Sequence, residues 1–238
     1  MENKIIETKT LLKSVPKSAT IIFVAAVVLM NFLARYTILS LPYLALTAGI
    51  FVSWVSFLFM DVFTKNFGAK ASNILSLLAI AVNILYTIIC LVISKVFKVP
   101  SLDMYVGGQW SILLASTIAY VISALSNNYT NIFVGKKIKA HPDSKTAFAA
   151  RSFISTFLSQ ILDNFIFVFL AFVIFPLIPG ALPVRWTVLQ CLGCSVICAA
   201  LELLTEMIFS PIGYHISRKW KEKNVGKEYI EKYCKSGI

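Results

Sequence analysis

Apolar residues fall in six long runs along this chain, separated by short segments that hold most of the polar and charged positions. The runs cover about residues 19–34, 43–63, 72–93 (extending towards 97), 110–134, 151–178 and 186–216. A helix that crosses a bilayer needs about 20 mostly apolar residues, so each run predicts a transmembrane helix. Turn formers mark the gaps: Pro42 in the first, Gly68 in the second, and Pro100, Gly107 and Gly108 in the third. His141 and Pro142 fall in a basic fourth gap, and Pro179, Gly180 and Pro183 in the fifth. Pro211 predicts a kink near the end of the sixth helix. The expected architecture is an all-α integral membrane protein of about six transmembrane helices. A polar arm (1–18) precedes one membrane domain (19–216), and a basic tail (217–238) follows it. No small-residue cleavage pattern follows the first run, which reads as a retained helix rather than a signal peptide.

Composition agrees. Of 238 residues 58% are apolar and 14% charged, with mean hydropathy +0.80, where soluble domains carry about 25% charged residues. The net charge of +11 raises the question of nucleic acid, but the basic residues sit between or after the apolar runs, as membrane topology requires. With the N-terminus placed in the cytoplasm, inner segments hold 18 Lys and Arg and outer segments 4. Cytoplasmic loops carry that excess, so both ends are expected in the cytoplasm, within an inner membrane crossed several times. Four of five cysteines lie inside apolar runs. Cys191, Cys194 and Cys198 share a helix face and read as packing residues rather than a metal or redox centre. No phosphate-binding glycine loop and no H-E-x-x-H motif is present. The chain is therefore expected not to be an enzyme and to need no cofactor, and any energy for transport comes from an ion gradient, substrate trapping or an ATPase partner.

Charged groups within a membrane helix are costly, about 2.5–3.5 kcal/mol at the bilayer centre on insertion scales, and so mark candidate function. On the fifth helix Gln160, Asp163, Asn164 and Phe167 fall at offsets 0, 3, 4 and 7, one face. The fourth carries Ser123, Asn127 and Asn131 at similar spacing, and the sixth carries Glu202 and Glu206 one turn apart. Asn31 lies in the first helix, and Asp61 at the end of the second, near Lys65. The simplest packing turns these stripes towards a shared cavity. Isolated amides such as Asn73, Asn83 and Gln190 read instead as glue between helices.

Two stretches carry a resemblance. Gly49-Ile50-Phe51 followed by residues 57–70, with Asp61 seven residues before Gly68, resembles the second-helix signature of the VUT family, the YhhQ-like queuosine precursor transporters also labelled vitamin uptake transporters. Residues 151–163, with Arg151, the Ser155-Thr156 pair and Gln160-x-x-Asp163, resemble that family's fifth-helix signature. Asn31 and Pro211 also fit. The chain departs from the family pattern at Lys65, where many members are acidic, and near Trp54, where many have proline. It departs again at Ala124 and Asn127, where the fourth helix often has Gln-x-x-Asp, and at Glu202, where lysine is frequent. The resemblance implies uptake of a nucleobase-like substrate, a 7-deazaguanine, for salvage into modified tRNA. It implies that Asp163 accepts hydrogen bonds from the base and Gln160 orients it, that Gln160 or Asn127 serves its carbonyl edge, and that Phe165, Phe167, Trp54 and Phe57 form aromatic walls. The expected partners are this substrate and the lipid bilayer, with a homodimer or an ATPase module as further partners and no nucleic acid. The other readings are a binding subunit of an ATP-driven uptake system and a membrane protein that transports nothing.

Overall fold

A computed structural model describes residues 2–99, 107–137 and 145–234. Helix α1 (Glu2–Ser14) meets α2 (Lys17–Leu33) at a bend of 108°. Pro16 sits at the break: it has no N–H to continue α1, while its fixed φ suits the first turn of α2. After α2 come strands β1 (Thr37–Leu41) and β2 (Leu44–Thr47), an antiparallel hairpin in which Leu39 faces Leu46 and Leu41 faces Leu44 across the two-residue Pro42-Tyr43 turn. The sequence reading places a loop and then a helix from residue 43, and here the structure corrects it. Residues 37–47 are apolar on both faces, so periodicity does not separate strand from helix. The turn and the β-branched residues Thr37, Ile38 and Thr47 settle the local choice, and α3 begins only at Ile50.

Helix α3 (Ile50–Phe67) ends at Gly68, whose φ of +85° is the left-handed conformation that closes a helix at low cost for glycine. The next helix begins at once: α4 (Ala69–Phe97), then α5 (Gln109–Lys137) and α6 (Lys145–Phe169). Helix α6 runs on through a π-helical turn (Leu170–Ile174) and a 3-10 turn that ends at Leu177, because Ile178 is held extended by the Pro179 that follows it. The last long helix is α7 (Val188–Glu222), with Pro211 inside it. Helices are long and apolar enough to cross a membrane over residues 70–97, 157–177 and 188–209, and the bent pair α1–α2 qualifies as a fourth. Residues 50–64 and 109–123 form shorter apolar helices. Side chains such as Leu85, Ile88, Ile89 and Val92 stand exposed along α4, as a helix in contact with lipid requires. Apart from the hairpin and short turns the described chain is helical, and three of its helices, or four with the bent pair, against the six expected, are long and apolar enough to cross a membrane.

The chain forms two compact units. The first comprises residues 1–30, 51–86 and 205–238, the second 31–50 and 87–204. The core of the first gathers Phe23, Phe59, Phe63, Phe67, Leu75 and Tyr229, with Phe23 edge-on to Phe63 at 5.4 Å. The core of the second centres on Ile112, Phe172, Trp186, Cys191 and Cys194, and Phe172 stacks on Trp186 at 4.2 Å. Small residues at Ala34, Ala45, Ala115 and Ala171 let backbones approach. The closest approach is at Gly193 of α7, where a Cβ would run into the Tyr43 carbonyl. One turn earlier Gln190 donates to the Leu41 carbonyl at 2.7 Å, fixing the hairpin to α7.

Candidate functional site

The polar face of α6 faces the second unit's interior. Gln160 is buried, and Asp163, Asn164 and Phe167 are half-buried. Asn164 Nδ2 donates to its own helix at the Gln160 carbonyl (2.9 Å) and to Glu202 Oε2 of α7 (3.0 Å). Glu202 is only 6% exposed, so this donor meets a carboxylate that has lost nearly all its water. From α5 the Ser123 hydroxyl reaches both the Tyr120 carbonyl (3.2 Å) and the Asp163 carboxylate, with one proton to give them. Gln160 Oε1 is buried and has no hydrogen-bond partner among the described residues. A buried polar group left unmatched costs about 1–3 kcal/mol, a cost that any donor reaching this oxygen would relieve.

Three helices of one unit thus bring together Ser123, Gln160, Asp163, Asn164 and Glu202. The cluster is rich in acceptors and short of donors. Residues 109–135, 152–184 and 186–214 contain no Lys, Arg or His, so these helix segments supply no cation to its two carboxylates. Such a site suits a ligand that brings N–H groups and repels an anion.

The remaining expected residues divide. Phe167 packs edge-on to Phe172 at 6.3 Å, and Phe165 stacks on Phe169 at 5.5 Å, both against the second unit's core. Asn31 is buried in the same unit, and its backbone carbonyl accepts from Gln109 Nε2 at 3.1 Å. Trp54 belongs to the first unit, where it stacks on Phe209 at 4.1 Å and donates to the Phe51 carbonyl at 3.0 Å. The side chains of Asp61, Asn127 and Glu206 lie outside the described residues. Sequence reasoning passed over Gln109, which is 4% exposed and whose Oε1 lacks a partner among the described residues. Its position at the start of an apolar run, where an amide looks interfacial, hid it. Cys194 and Cys198 lie with their sulfurs 3.6 Å apart. Among the described residues no three His, Cys, Asp or Glu side chains are arranged to hold a metal ion.

A family model described as "Putative vitamin uptake transporter" matches residues 47–216, about seven-tenths of the chain. The chain belongs to this family. The match takes in every residue of the polar cluster. No curated protein and no solved structure matches. A member of the vitamin uptake transporter family is a transporter that works in a lipid environment on a small-molecule substrate.

Proposed function

We propose that this transporter imports a queuosine precursor, namely 7-cyano- or 7-aminomethyl-7-deazaguanine or queuine, across the cytoplasmic membrane. It does so through six spans with both ends in the cytoplasm. The observation that carries the substrate reading is the acceptor surplus, above all the unmatched Gln160 Oε1 beside Asp163. A guanine-type edge presents a ring N–H and an exocyclic amino group side by side, and one carboxylate accepts both. Asp163 takes that pair, and Gln160 Oε1 accepts a further N–H of the ligand. This revises the role that Gln160 has on sequence grounds, because its buried oxygen calls for a donor. Phe167 flanks the flat ring. Asn164 is engaged with Glu202 and holds that carboxylate in place. The bias of 18 basic residues to 4 supports the orientation.

The test is uptake of labelled 7-deazaguanine by cells that lack their own precursor synthesis. Asp163→Asn is expected to abolish uptake while the protein still reaches the membrane in normal amount. Uptake at the wild-type rate by that variant contradicts the proposal.

A further inference from the structure

We propose that α1 lies along the bilayer surface at the end where α2 enters and binds anionic lipid through Lys9 and Lys13. The geometry comes from the elbow. Helix α2 is apolar and has 17 residues, about 25 Å at 1.5 Å per residue, at the short end of what crosses a hydrocarbon core of about 30 Å. If α2 follows the membrane normal, the 108° bend less 90° leaves α1 18° from the membrane plane. Helices at that attitude sit in the headgroup region when one face is apolar and basic.

The helix has such a face. Leu11 is fully buried, Val15 is 2% exposed and Glu7 is 5% exposed, while Ile5 and Ile6 are 52% and 44% exposed. Lys9 and Lys13 are exposed beside them, and spacing at 5, 6, 9 and 13 groups the four on one side of the helix. Glu7 is the one acidic residue between positions 5 and 17, and it points the other way. There it takes an ion pair from Lys70 at 2.8 Å and a hydrogen bond from the Tyr229 hydroxyl at 3.3 Å. The inner face is therefore fixed to the protein and neutralised, and from Ile5 to Lys13 the outer face carries the two isoleucines and the two lysines and no acid. The same unit adds exposed Lys219, Lys221 and Lys223. A second copy is a poor occupant, because a two-fold contact sets the same lysines against each other. Phosphate headgroups supply the opposite charge, and the isoleucines find the acyl boundary.

Native mass spectrometry of the full chain in mild detergent, titrated with phosphatidylglycerol or phosphatidylcholine, tests this. A lysine near an anionic surface contributes about 1 kcal/mol, about five-fold in affinity. Lys9→Gln with Lys13→Gln is expected to weaken phosphatidylglycerol binding about 25-fold and leave phosphatidylcholine binding unchanged. The paired Lys→Arg variant is expected to bind like wild type, and all three proteins to share one lipid-free melting midpoint. Equal phosphatidylglycerol affinity in all three overturns the proposal. So does a glutamine effect confined to the fraction of dimer, which assigns the face to a second copy.

Discussion

The contact between Asn164 and Glu202 joins two helices within the candidate site, so cutting it from each side measures how firmly the site is built. Asn164→Leu removes the donor at 3.0 Å from Glu202 Oε2 with little change in volume, and Glu202→Met removes the acceptor. Hydrogen bonds to charged groups are worth about 1.5–3 kcal/mol in soluble proteins. Side-chain bonds between membrane helices average about 0.6 kcal/mol and reach about 1.7. Glu202 is only 6% exposed, which places this pair at the upper end of the membrane range, so a coupling energy of about 1.5 kcal/mol is expected. Asn164→Leu alone is then expected to lower the melting midpoint by about 3–6 °C, at roughly 2–4 °C per kcal/mol for a chain of this size. The assay is reversible unfolding in mixed micelles for wild type, both single variants and the double variant. Strict additivity of the two single changes would mean that the bond contributes nothing, and the reasoning fails.

Gly193→Ala sets a methyl against the Tyr43 carbonyl. Overpacking of about 1–3 kcal/mol outweighs the gain of about 1 kcal/mol in helix propensity, so thermal unfolding is expected to show a lower midpoint. A raised midpoint would mean that the hairpin yields freely. Burial, helped by the Glu7 carboxylate, pushes the Tyr229 phenol above its usual range. The folded state therefore favours the protonated phenol, and that stability is complete below about pH 10, the unfolded value, and lost as pH rises further. Tyr229→Phe is expected to flatten the decline of stability above pH 10, read by unfolding at fixed pH steps, and an unchanged slope would contradict it.

The helices were legible because each is an apolar run bounded by Gly, Pro or charge, and a membrane leaves helices as the simplest way to satisfy their backbones. The hairpin was not legible, since Thr37 to Thr47 carries no polar alternation to distinguish its faces. Helix α1 escaped notice because its buried face holds Glu7 and Thr10, and only the partners at Lys70 and Tyr229 make that face an inside. The site was legible along one helix, where the offsets from Gln160 to Phe167 fix a common face. It was not legible across helices. The pairing of Asn164 with Glu202 depends on how α6 and α7 are rotated about their axes, and residue spacing within either helix carries no record of that. Trp54 shows the same limit, since its aromatic partner is Phe209, more than 150 positions away.

The most direct test of the central claim is ligand binding to the purified protein, read as thermal stabilisation. A ligand at about 100 times its Kd adds about 2.7 kcal/mol, or about 5–11 °C here. Deazaguanines and queuine are expected to give that shift, and vitamins whose recognised group is a carboxylate to give none. Asp163→Asn is expected to weaken the deazaguanine response about 10- to 150-fold in apparent affinity, the equivalent of about 1.5–3 kcal/mol for hydrogen bonds to a charge. A shift with an anionic vitamin, or an undiminished deazaguanine shift in Asp163→Asn, would contradict the account.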